Sequence, residues 1–137
     1  MRAGRHSTPG CGFGSWLTHS GNSLNVMTEE TTLRRYERAQ LFFEAKDYIV
    51  AAELLESVIA DVPNDLAPRE LLARSYYHSA QLKRAETQLR WIVEHHPAEA
   101  YAHLMLGRTL QRQSRHEEAQ SWLRIAAALG ADTSTAG

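Results

Sequence analysis

The sequence predicts an all-α fold, a solenoid of three helix–turn–helix repeats, and three observations support this. Small and apolar residues recur at a spacing of 34: Ala39, Ala73 and Gly107; Ala51, Ala85 and Ala119; Leu55, Leu89 and Leu123. Two more series, Phe42, Tyr76, Leu110 and Val58, Ile92, Ala126, keep the same register, and Pro63 and Pro97 also stand 34 apart. Between these markers the apolar residues follow a helical period, and no stretch alternates as a strand would. A fixed period of this length, with two helical patterns in each period, marks stacked helix pairs.

The length of 137 residues bounds the chain to one domain, and 43% hydrophobic residues suffice for a core. The net charge is -1, but it is uneven: Arg2 and Arg5 precede the first acidic residue, Glu29. From Met27 onward 13 basic residues face 16 acidic ones, a net of -3, which argues against nucleic acid as a partner. The single cysteine, Cys11, permits no internal disulfide. No apolar run has the length of a membrane span, and the start lacks the apolar centre of a signal peptide. A cytoplasmic protein with a loose N-terminal tail is expected.

In chain order, residues 1–26 are rich in Gly, Ser, Thr and His and show no period, so they read as a disordered tail. Met27 then opens TEETTLRRYERAQ, which looks like a natural start, leaving 1–26 as upstream sequence or a short tail. The ordered domain is expected over 27–131, with 132–137 as a frayed C-terminal tail. The first helix should run from about Thr28, as its cap, to Ala45. Asp47 should cap the second, roughly Tyr48 to Ala60, whose inward face is Ala51, Leu54, Leu55, Val58 and Ile59. VPND at 62–65 breaks it. The next pair should span about Leu66–Ser79, with Pro68 in the tolerant first turn, and about Leu82–His95, closed by Pro97. The last pair should begin near Ala98 and end at Gly130, a natural C-terminal cap. Ser114 with Glu117 has the spacing of a capping box for its second helix.

These columns resemble the tetratricopeptide repeat. That family has a small residue in the column of Ala39, Ala73 and Gly107, an aromatic where Phe42, Tyr76 and Leu110 stand, and alanine at Ala51, Ala85 and Ala119. It has a large apolar residue at Leu55, Leu89 and Leu123, and proline at Pro63 and Pro97, with Ala131 in the last unit. Two columns depart from it. Its usual tryptophan is replaced by Arg35, Arg69 and His103, and the glycine before its second helices by Lys46, Ala80 and Ser114. The resemblance implies a right-handed α-solenoid and a non-enzymatic protein-interaction module.

It also implies that the first helix of each pair lines a concave groove. Carried onto this chain, the peptide-binding groove residues are Tyr36, Gln40 and Phe43 from the first unit, and Arg74, Tyr77 and His78 from the second. Tyr101, Leu104, Arg108 and Arg112 come from the third. Aromatic side chains supply contact area at low entropic cost and arginines clamp carboxylates. The expected partner is therefore a peptide or protein segment with apolar and acidic residues. The chaperone-carboxylate clamp of some family members is disfavoured, because its positions correspond here to Tyr36, Gln40, Leu71, Tyr101 and Met105. A second surface is expected at the array's end, where Trp122, Ile125, Ala126 and Leu129 cannot all face inward; the exposed ones, Trp122, Ile125 and Leu129 among them, would support self-association into a homo-oligomer. A less favoured alternative is nucleic-acid contact through the groove arginines with Tyr77 and Tyr101 stacking.

No cofactor is expected. His95 and His96 are adjacent and lack a further ligand at metal spacing, so they read as a helix-end pair. GCGFG at 10–14 lacks the strand and the lysine of a phosphate loop, and no nucleophile motif appears, so no catalytic residue is assigned.

Overall fold

The computed structural model describes residues 30–134. The expected tail at 1–26, the Thr28 cap and residues 135–137 lie outside them. A compact unit, Arg35–Gly137, carries the helical array. In the unit before it, Thr31 Oγ1 accepts the N–H of Arg34 at 3.2 Å, as a cap does. Among the described residues there are six helices: α1 Thr32–Glu44, α2 Tyr48–Asp61, α3 Leu66–His78, α4 Leu82–His95, α5 Ala100–Arg112 and α6 His116–Ala128. No strand occurs among the described residues, and no helix there is long and apolar enough to cross a membrane.

The helices pair in chain order because their inward columns are small. Ala39, Ala73, Ala51, Ala85 and Ala119 are fully buried, as is Leu55, and Leu89 nearly so. Gly107 shows why the column must be small: a Cβ there would sit 2.6 Å from Leu123 Cδ2 and 3.3 Å from the Ala119 carbonyl oxygen. One core cluster joins Ala39, Ala52, Leu55, Leu71, Leu72, Tyr76 and Ala85; the other joins Ala73, Leu89, Ile92, Ala102, Leu106, Leu110 and Ala119. The middle pair contributes to both, so α3 and α4 tie the array together.

The turns inside the pairs repeat bond for bond. Lys46 N–H donates to Phe43 O at 2.9 Å and Asp47 N–H to Phe42 O at 2.8 Å. Ala80, Gln81, Ser114 and Arg115 repeat this arrangement, and so do Gly130 and Ala131 at the end of α6. This is a Schellman closure, which needs a left-handed residue after the helix. Gly130 takes φ 102°, as the sequence suggests, but Lys46, Ala80 and Ser114 take φ 65°, 62° and 63° without being glycine. Two bonds per turn hold them there against a cost of roughly 1–2 kcal/mol each. This overturns the capping box: Ser114 ends α5, the residue capping α6 is Arg115, and its side chain makes no capping bond. Asp47 does cap α2, accepting Val50 N–H at 3.3 Å, whereas Asp65 before α3 makes no such bond.

The column that lacks tryptophan is filled by contacts of another kind. Arg35 donates to Ser57 Oγ at 2.9 Å and pairs with Asp61. Arg69 lies 3.9 Å over the Trp91 ring and donates to Gln88 Oε1 at 2.8 Å and to Pro63 O at 2.7 Å. His103 packs against Trp122, ring centroids 5.7 Å apart. Each residue thus seals its own pair with charge-assisted or aromatic contacts where an indole would have used area.

Between the second and third pairs, Glu86 of α4 accepts from Gln113, Arg115 and Arg90 at 3.0, 2.8 and 2.8 Å, and Glu118 closes the network onto both arginines. The Glu86 side chain is only 13% exposed. Burial alone would push its carboxyl up, but the bonds from Gln113, Arg115 and Arg90 outweigh that and hold it below the ordinary range. The bonds from Arg90 and Arg115 lower Glu118 likewise.

Two stability outcomes follow from these features. Ala80→Gly relieves the left-handed strain but adds unfolded-state entropy, for a net stabilisation of about 0.5–1 kcal/mol in urea denaturation; a loss of stability would show that Ala80 is not strained. Glu86→Gln costs about 1–2 kcal/mol at pH 7. Because the folded pKa values are depressed, the network's contribution is present above the unfolded glutamate value of about 4.3 and fades as pH falls through the folded values. The wild-type minus variant difference in Tm therefore narrows from pH 6 to pH 3; a constant difference would contradict the assignment.

Candidate partner-binding groove

Helices α1, α3 and α5, the first of each pair, contact one another through long side chains on a shared face. At the C-terminal ends of α1 and α3, Phe43 and His78 meet edge-on at 5.7 Å, and Tyr77 meets His78 at 5.6 Å. Tyr48, the first residue of α2, stacks on His78 at 4.9 Å and meets Phe43 edge-on at 5.2 Å. Offset and edge-on pairs of this kind add to burial alone.

Two guanidiniums lie over rings of this aromatic cluster. Arg74 of α3 sits 4.6 Å over the Phe43 ring, and Arg112 of α5 sits 4.6 Å over the Tyr77 ring, with Nη1 donating to Tyr77 O at 2.9 Å. Both therefore bridge neighbouring repeats. Arg74 Nε is buried without a hydrogen-bond partner, and the ion pairs of α4 and α6 do not include either arginine. Partial burial, then Arg74 and Arg112, hold the His78 imidazole below its ordinary pKa. It is neutral at pH 7.

The other edge of the face is acidic. Burial and the charge of Glu99 raise the Glu70 carboxyl, against the pull of Arg74. Burial and Glu70 raise Tyr36. Tyr101 is 38% exposed, and burial raises its phenol although Arg74 pulls the other way. Farther along α5, Arg108, Gln111 and Arg112 with Tyr77 enclose an open pocket of about 440 Å³.

The structure thus brings Phe43, Arg74, Tyr77, His78 and Arg112 into direct contact, with Arg108 beside them. The charge of Glu70 reaches the phenols of both Tyr36 and Tyr101. Gln40 is exposed and Leu104 half-buried on the same helices. Sequence reasoning missed Tyr48, which belongs to a second helix and shares no spacing with the face residues; only the tight turn at Lys46 delivers it. The end-surface residues separate. Trp122 is half-buried against His103 and the core, while Ile125 and Leu129 remain 43% and 40% exposed. Ala126, expected to compete with them for the interior, is fully buried. Among the described residues, no three of His, Cys, Asp and Glu gather as a metal site would require.

Stacked helix pairs presenting a shared side-chain face define a helical-repeat module of the kind used for protein–protein interaction. Residues 42–105 match the tetratricopeptide-repeat family model, and over that stretch the helix pairs are similar to that family's repeats. No curated protein sequence matches the chain. Among solved structures, a point mutant of MamA is 18% identical, with 76% of each chain covered and a TM-score of 0.71. MamA AMB-1 is 19% identical over 73% of this chain and 59% of that one, TM-score 0.70. MamA from Desulfovibrio magneticus RS-1 is 25% identical over 73% of this chain and 56% of that one, TM-score 0.69. The chain spans about three quarters of the first and under three fifths of the other two.

The stacked arrangement is testable through His78. In Arg112→Ala, loss of a neighbouring positive charge raises the His78 pKa toward the ordinary histidine value, read by NMR titration of the imidazole protons; an unchanged pKa would place Arg112 away from it.

Proposed function

We propose that the α1–α3–α5 face binds a segment of a partner protein, the segment lying across the three helices. The observation that carries this reading is the pre-stacked cluster of Phe43, Arg74, Tyr77, His78 and Arg112, all on one face and bridging successive repeats. Guanidiniums already laid on rings lose little rotamer freedom on binding, and partly exposed aromatics supply the area that dominates interface energetics. The tetratricopeptide-repeat fold supports the same general role. Apolar side chains of the segment would rest on Tyr77 and Tyr101, and acidic ones would face the arginines. The functional class is therefore a binding module that positions a partner, with the helical array as a rigid support.

The test uses a random peptide library displayed on phage and selected on immobilised protein. Peptides that bind wild type should lose about 2 kcal/mol of affinity, near thirtyfold, to Tyr77→Ala by fluorescence anisotropy. They should be unaffected by Lys83→Ala on α4. Selected peptides that bind Tyr77→Ala as well as wild type would remove this face from the proposed function.

A further inference from the structure

The face changes character along its helices. Tyr36, Glu70 and Leu104 stand 34 residues apart, so they form one column across α1, α3 and α5, with Glu70 in the middle. Ala67 lies one turn earlier on the same side of α3; it is exposed and ends in a methyl group. Its own column continues on α5 as Tyr101, which is 38% exposed. The small residue leaves a recess over α3. The phenols of Tyr36 and Tyr101 flank it, Glu70 forms its floor, and the charge of Glu70 reaches both phenols.

Glu70 is not paired by the arginine that its own helix offers. Arg74, four residues on, has the spacing of an ion-pair partner. Its guanidinium lies over the Phe43 ring instead, at 4.6 Å, and attracts Glu70 only from a distance. Glu70 belongs to none of the ion pairs among the described residues. Glu99, the residue before α5, makes no capping bond with its side chain, and its charge bears on Glu70. Two aromatic rings with carboxylates beside them attract a cation twice, through the ring faces and through charge-assisted hydrogen bonds. The aliphatic stem of a lysine or arginine also lies well along rings and a methyl floor.

We propose that the recess of Tyr36, Ala67, Glu70 and Tyr101, with Glu99 at its rim, seats a lysine or arginine side chain of the partner segment. The stem of that residue lies against Tyr101 and its charged head reaches Glu70. The inference rests on the α1–α3–α5 face being the docking surface. Tyr77 follows Glu70 by seven residues on α3, about 10 Å along the helix. A segment that places a basic residue in the recess and an apolar one on Tyr77 is therefore bound in one direction only.

The experiment compares library selections on wild type and on Glu70→Lys. Wild type should enrich Lys or Arg at a fixed distance from the residue that needs Tyr77, and Glu70→Lys should lose that enrichment. A selected peptide is then synthesised with an acetylated N-terminus, so that its side chain supplies the cation. Replacing its basic residue with norleucine should weaken binding to wild type about tenfold, yet change binding to Glu70→Gln by no more than about twofold. Circular dichroism confirms that each variant stays helical, and Glu99→Gln, which lies outside the helices, should weaken the basic peptide in the same direction. If wild type enriches no basic residue, or if norleucine weakens wild type and Glu70→Gln equally, the basic-residue site is overturned while the Tyr77-dependent groove stands. If no selected peptide depends on Tyr77, the groove reading itself fails, and the site with it.

Discussion

The close approach of the paired helices is the constraint on which the remaining structure depends. Ala39 and Ala51, Ala73 and Ala85, and Gly107 with Ala119 leave no room for a larger side chain, and the alanines among them are fully buried. Helices that approach this closely must be joined by a short, sharply turning connection. The three Schellman closures supply it, and non-glycine residues accept left-handed backbone there. The strain is local and is offset by the packing it permits. The same spacing holds α1, α3 and α5 at a fixed separation, so that Arg74 reaches Phe43 and Arg112 reaches Tyr77.

Polar contacts have a different task from the alanine columns. Arg35, Arg69 and His103 each seal their own pair, while Glu86, Arg90, Arg115 and Glu118 fasten the second pair to the third. Ion pairs that are partly open to water contribute modestly one at a time, and more when several share partners with little side-chain freedom left. Glu86 meets that condition, being mostly covered and bonded by three donors. The arrangement also sorts charge across the molecule. Glu86 and Glu118 of the second helices are held in such pairs, whereas Arg74 and Arg112 on the shared face lie over aromatic rings.

Much of the architecture was readable from spacing. Ala73, Tyr76, Ala85 and Leu89, picked out by the 34-residue register, are all buried, and α4 has the expected bounds of Leu82–His95. Gly130 closes α6 as its identity suggests. Periodicity works here because each inward column has one physical requirement, small size or apolar bulk, that a residue's identity states directly. Turn conformation at Lys46, Ala80 and Ser114 was less legible. A serine three residues before a glutamate fits a capping box in sequence, yet a left-handed closure was needed at that point and took precedence over the cap.

For the face, the family resemblance already assigned Phe43, Arg74, Tyr77, Arg108 and Arg112 to one side of the first helices. What those side chains do there emerged only in three dimensions. The stacking of each guanidinium on a ring from the preceding repeat joins residues 31 and 35 positions apart, and Tyr48 arrives from a second helix. Likewise, Trp122 could be called inward or outward from the sequence, and only its seat against His103 settled the matter. Helical period tells which way a side chain points from its own helix. Which neighbour it meets depends on the distance and angle between helices, and those are set by packing.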